Sequence, residues 1–112
     1  MIFGGQGHVS PLAVPALRQR AIKIGSAGKI FSMTGWKLGW TVSSPPLAAA
    51  IAGTHQFLTF TTPTPLQWAV AEGLALPPAW FARHRARYET ARDRLTGALE
   101  AGGFHVLPTH GS

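Results

Sequence analysis

One stretch of sixteen residues constrains this chain more than any other: Gly25-Ser-Ala-Gly-Lys-Ile-Phe-Ser-Met-Thr-Gly-Trp-Lys-Leu-Gly-Trp40. Its glycines put Lys29 on a tight turn, with Ser26 three residues before it and Lys37 eight residues after. The chain contains only three lysines, Lys23, Lys29 and Lys37, so two of them fall inside one Gly/Ser/Thr-rich segment. Apolar runs bound that segment. Ala21-Ile22-Lys23-Ile24 reads as a short strand that Gly25 ends, and Trp36 to Val42 reads as a second strand ending at Ser43-Ser44.

The residue types suit phosphate binding beside amine chemistry. A free lysine has a pKa of roughly 10.4 and is a poor nucleophile at neutral pH, so imine formation calls for desolvation or a nearby cation. Lys37 serves either as that cation or as the point charge that neutralises a phosphate. Ser26 and the backbone N–H groups of the Gly25–Gly28 turn would add donors, as in a nest or at a helix N-terminus. A phosphate cofactor bearing an aldehyde, held covalently by Lys29, meets this description, and pyridoxal phosphate is the candidate. A Walker loop does not fit: it needs Gly at position 23 and Ser or Thr at position 30, where the chain has Lys23 and Ile30. A surface turn with two solvated lysines fits the same residues.

The whole segment Gly25–Trp40 resembles the cofactor-lysine segment of class I/II aminotransferases, most nearly the kynurenine, glutamine and methionine aminotransferase branch. The resemblance continues through His55-Gln-Phe-Leu-Thr-Phe60, Thr62-Pro63 and Gln67 to Gly103-Phe-His-Val-Leu-Pro-Thr-His-Gly-Ser112, and upstream from Phe3-Gly4 to Leu17. It implies a fold-type I, pyridoxal 5'-phosphate-dependent enzyme. On this resemblance Lys29 forms the internal aldimine, Ser26 and Lys37 contact the cofactor phosphate, and Phe60 lies on a segment reaching the active site of the neighbouring subunit of a homodimer. Ile30 stands where a Thr is usual, and Thr61 follows Phe60 where some relatives carry His.

The same resemblance implies partners that are missing. This cofactor needs an acid at its pyridine nitrogen, and the family also uses a tyrosine near the ring hydroxyl and an arginine for the substrate carboxylate. The four acids here, Glu72, Glu89, Asp93 and Glu100, all follow Lys29, in segments that read as exposed helix, and the only tyrosine is Tyr88. The chain is therefore expected to be an internal fragment of a larger enzyme. Residues 1–78 would belong to the large cofactor domain, and residues 79–112 to a linking helix and the start of the small domain.

The expected activity is transamination between an amino acid and an α-keto acid. Released Lys29 would move a proton from the substrate α-carbon to the cofactor carbon. Two other readings share the ancestry: a non-catalytic remnant, and an aminotransferase-like effector domain of a transcription regulator.

Composition narrows the remaining classes. With 46% hydrophobic residues the chain has globular character, and no run approaches the roughly 18 apolar residues of a membrane span. No signal peptide is recognisable at Met1-Ile-Phe-Gly-Gly-Gln-Gly, and there is no cysteine, so the protein is expected in the cytoplasm. The net charge of +6 raises the question of nucleic acid. However, Arg83, Arg85, Arg87, Arg92 and Arg94 sit on a helix whose stripe Phe81, His84, Tyr88, Ala91, Leu95, Ala98 and Leu99 is apolar, which describes a solvated basic face. No nucleic-acid partner is expected. The five histidines have no metal-like spacing, so no metal is expected either, and His55 and His84 should pack with one nitrogen satisfied. The four tryptophans read as core and interface residues. Ser10, Ser32 and Ser43 lack the Gly-x-Ser-x-Gly context of a hydrolase.

The expected layout is α/β. A turn-rich lead-in over residues 1–20 precedes the two strands. Helices follow from Pro45, capped by Ser44, after the break Thr62-Pro63-Thr64-Pro65 through Leu66, Ala69, Val70 and Leu74, and over roughly 79–101, stopped by Gly102-Gly103. Phe104 to Leu107 would be a final strand.

Overall fold

Both lysine-bearing segments are joined by a short antiparallel ladder. In the structure, a computed structural model that describes residues 1–111, β1 (Lys23–Ser26) pairs with β2 (Gly39–Val42). The register is Lys23 with Val42, Ile24 with Thr41, Gly25 with Trp40 and Ser26 with Gly39. The connection is a folded loop. Helix α1 (Ala27–Ile30) follows β1 directly, and a 3₁₀ turn over Thr34–Trp36 precedes β2. Thus the second strand is shorter than expected, because Trp36 ends the 3₁₀ turn and Lys37 takes a left-handed backbone, φ 52° and ψ 39°.

This hairpin belongs to a compact unit, Val9–Ala75, that also holds α2 (Pro45–Leu58) and α3 (Thr64–Leu74). Its core is small: Ala27, Leu38 and Val70 are buried, with Phe31, Met33, Trp40 and Leu66 packed against them. Two of these side chains come from α3, so the helix supports the loop from its apolar side. The Phe31 ring lies against Gly73 of α3 so closely that a Cβ there would stand 2.9 Å from the ring. Much apolar surface stays open. Ile24 is 79% exposed and Trp68 70% exposed, so Trp68 is not a core residue among the described residues.

Ser44 precedes α2 as expected, but not with its side chain. Its hydroxyl donates to the Gln19 carbonyl at 3.1 Å, and no side-chain capping bond forms. Pro46 contributes to this, because at the second helical position it removes one of the two N–H groups that an N-cap side chain can accept from. At the other end, Thr59 and Phe60 both donate to the His55 carbonyl, and Phe60 has φ 63°. His55 is exposed rather than packed, and its Nε2 pairs with the Thr59 hydroxyl.

The second unit comprises Met1–His8 and the chain from Leu76 onward, and is built on α4 (Pro78–Ala101). Arg92 departs from the expected solvated face. Its guanidinium lies 4.8 Å from the centre of the buried Phe3 ring, donates to the Thr109 carbonyl at 2.9 Å, and pairs with Asp93 at 2.7 Å and Glu89 at 3.6 Å. Glu89 in turn accepts the Gly4 N–H at 2.7 Å. A planar, always-charged guanidinium satisfies a ring, a carbonyl and two carboxylates at once. Leu95 of the expected apolar stripe is instead 61% exposed. The His84 ring stacks on Trp80 and meets Tyr88 edge-on, while its buried Nε2 has no hydrogen-bond partner. The expected satisfied nitrogen is not found there.

Helix α4 stops where the two glycines predict. The Phe104 N–H returns to the Leu99 carbonyl and the Gly103 N–H to the Glu100 carbonyl, both at 3.0 Å, with Gly103 at φ 84°. This is the paired-bond C-terminal motif that requires a left-handed residue. The expected strand at Phe104–Leu107 is absent. Ile2 and Gly111 form a single antiparallel bridge, and Phe104 and Leu107 are 65% and 72% exposed. A strand needs a neighbour to hydrogen-bond with, and no described segment lies alongside this one. Replacing Gly103 with Ala in the full-length protein should lower unfolding stability by about 1 kcal/mol, since a Cβ disfavours the left-handed region. Chemical denaturation measures this, and unchanged stability would mean that the turn is not rigid in solution.

Candidate functional site

The ladder register places the two strand ends, Ser26 and Gly39, opposite each other, and the folded loop brings Lys29 and Lys37 to the same side. The result is a cleft of about 330 Å³ lined by Ser26, Gly28, Lys29, Thr34, Lys37, Leu38 and Gly39. Three residues singled out in the sequence, Ser26, Lys29 and Lys37, therefore meet in one cavity. Phe60 is not part of it. It sits at the turn after α2, 78% exposed.

Local geometry explains why the segment is rich in glycine. A Cβ on Gly39 would stand 2.6 Å from the Gly25 carbonyl oxygen, and one on Gly28 would stand 2.9 Å from the Thr34 Cα. Both approaches are to backbone, which cannot swing aside. The Ala27 N–H donates to the Leu38 carbonyl at 3.0 Å, closing the base of the loop. That bond also corrects an expectation, because the first N–H of the turn is committed internally and is not free for a phosphate.

Electrostatics in the cleft are one-sided. Neither Lys29 nor Lys37 forms an ion pair among the described residues, where every salt bridge involves Arg92. The only acid in the Val9–Ala75 unit is Glu72, and it does not line the cleft. Two hydroxyls, on Ser26 and Thr34, face the same space without internal hydrogen bonds among the described residues, and Ser26 makes no capping bond to α1. Two cations and two free hydroxyls with no carboxylate make an anion site. Lys29 is exposed, so the described residues do not supply the desolvation that its amine chemistry calls for.

Sequence reasoning did not single out Thr34, Gly28, Leu38 or Gly39 as lining residues. Thr34 was the recoverable one, as a hydroxyl five residues beyond Lys29 in the same segment. A larger groove of about 630 Å³ runs along α4 between Trp80, Arg83, His84, Arg87 and Arg94. All its lining residues come from one helix, and it has neither a lysine nor a glycine turn, so the chemistry favours the smaller cleft. No cluster of three or more metal-ligating side chains occurs among the described residues, and no described helix is long and apolar enough to cross a membrane.

Comparison with known proteins follows the same residues. The family described as Aminotransferase class I and II matches residues 2–112. A methionine aminotransferase of Escherichia coli is 42% identical over 98% of this chain, and a kynurenine–oxoglutarate transaminase of Dictyostelium discoideum is 41% identical over 96%. The crystal structure of Escherichia coli YbdL, identified as having a methionine aminotransferase function, superposes on the entire chain with a TM-score of 0.92 at 41% identity. That of N-succinyldiaminopimelate aminotransferase from Mycobacterium tuberculosis does so with a TM-score of 0.95 at 34% identity. The chain spans 28% and 26% of the two sequence relatives and 30% and 29% of the two structures.

Because the close approach at Gly39 is to backbone, Gly39→Ala in the full-length protein should force β1 and β2 apart. A loss of about 1–3 kcal/mol in urea denaturation is expected, as for other overpacked positions. Wild-type stability would show that the two strand ends do not meet this closely.

Proposed function

We propose the function that follows from family membership, for this chain belongs to the class I and II aminotransferases. Its fold is the mixed α/β fold of the corresponding part of fold-type I enzymes. The proposed activity is pyridoxal 5'-phosphate-dependent transamination between an amino acid and an α-keto acid. One observation supports it above the others: Ser26, Lys29 and Lys37 line a single cationic cleft.

The residues present fit that cofactor. A phosphate is a dianion with several acceptor oxygens, and the cleft offers two unpaired ammonium groups and free hydroxyls with no competing carboxylate. Its volume is also near the lower end of small-molecule sites. When bound, pyridoxal phosphate supplies an aldehyde for covalent attachment to an amine and a ring that withdraws electrons from the substrate α-carbon.

The rest is done by side chains of this chain. Lys37, which lines the cleft just before β2, would hold the phosphate as a point charge. Ser26 adds a hydroxyl donor at the strand end. Lys29 Nζ is the covalent attachment point. Once free and unprotonated, the same nitrogen takes the proton from the substrate α-carbon and keeps it for return. Burial of Lys29 from water would come in part from the bound cofactor.

The surrounding organisation is proposed on the same footing. Residues 1–78 belong to the cofactor domain, and 79–112 to the linking helix and the small domain. The enzyme works as a homodimer in the cytoplasm. Phe60, exposed at the end of α2 with a left-handed backbone, is presented to the substrate site of the neighbouring subunit.

Lys29→Ala in the full-length protein should abolish transamination while leaving non-covalent cofactor binding measurable. A coupled assay for keto-acid formation, run with absorbance spectra of the bound cofactor, gives both readouts. Turnover near wild type in that variant would end the assignment.

A further inference from the structure

Thr34 opens the 3₁₀ turn between the two cleft lysines, and its backbone is held at two points. Its Cα rests against Gly28, which leaves no room there for a Cβ, and its carbonyl accepts the Lys37 N–H at 3.4 Å. Gly28 precedes Lys29 directly, so Thr34 is pinned between the positions that carry both amines.

Its hydroxyl has no internal use. Thr54, inside α2, returns its hydroxyl to the Ala50 carbonyl one turn back at 3.2 Å. Thr34 opens its turn, and its hydroxyl makes no hydrogen bond among the described residues. It lines the cleft with Ser26, Lys29 and Lys37. Thr34 is exposed, and its β-branch limits χ1 to few rotamers. A hydroxyl without an internal partner, in a cleft of two cations and no carboxylate, suits an anion.

The geometry points to Thr34 as a third anchor of the cofactor phosphate, with its hydroxyl donating to a phosphate oxygen beside Ser26 and Lys37. This rests on the cofactor reading of the cleft. The Thr34 hydroxyl thereby adds to phosphate grip without taking part in proton transfer, which stays with Lys29.

The test compares pyridoxal 5'-phosphate with pyridoxal, which lacks the phosphate, in equilibrium binding to the full-length wild-type protein and to Thr34→Val and Thr34→Ser. Loss of one hydrogen bond to a charged group should raise the Kd for pyridoxal 5'-phosphate about tenfold in Thr34→Val, leave the Kd for pyridoxal unchanged, and spare Thr34→Ser. Unchanged affinity for pyridoxal 5'-phosphate in Thr34→Val overturns the proposal. So does equal weakening of both ligands, or a serine variant as weak as the valine one. Should Thr34→Val fail to fold, Thr34→Ala removes the same hydroxyl with less bulk and is read the same way. Lys29→Ala runs alongside: if the cofactor's absorbance change in the wild type does not depend on Lys29, the cofactor reading itself fails, whatever Thr34 does.

Discussion

The hydrogen bond from the Ala27 N–H to the Leu38 carbonyl ties together two segments that would otherwise diverge after four ladder pairs. It closes a twelve-residue loop (27–38) at its base, with buried Ala27 on one side and buried Leu38 on the other. Everything at the cleft hangs on that closure. Above it, the short α1 and the 3₁₀ turn fold back on one another through the Gly28–Thr34 contact. Below it, Leu66 and Val70 of α3 supply the apolar floor. The site is thus a polar cup on a small hydrophobic base, and its geometry is set by backbone approaches rather than by long side chains.

That division explains which parts were legible in the sequence. The Lys29 turn, the glycine stop of α4 and the start of α2 at Pro45 are local features, written in residues that control their own φ and ψ. That Lys37 and Ser26 share a cleft with Lys29 is a consequence of the β1–β2 pairing, which holds the two ends of the intervening loop together. The strand expected at Phe104–Leu107 was misread for the opposite reason: alternation of side chains cannot disclose whether a neighbouring strand exists. Arg92 was misread likewise. Its partner ring, Phe3, is 89 positions away in sequence, and helical periodicity alone assigns an arginine to solvent. Thr34 was hidden among other hydroxyls of the same segment until Gly28 was seen to pack on its backbone.

The open apolar surface fits the proportions of the relatives. Phe57 on α2, Phe60 in the turn after it and Trp68 on α3 are each at least 70% exposed. A chain that spans under a third of the matched enzymes has less to bury them with. The chain nevertheless superposes over its full length on the corresponding 30% and 29% of two solved aminotransferase structures.

Lys37 sits in the left-handed region, which costs most side chains roughly 1 kcal/mol, glycine nothing and asparagine less than most. Those two replacements would relax the backbone but take away a cation from the cleft. Backbone ease and positive charge therefore oppose each other at this one position. A library sorted by heat resistance alone would drift toward glycine there, gaining hardiness and giving up one of the cleft's two cations.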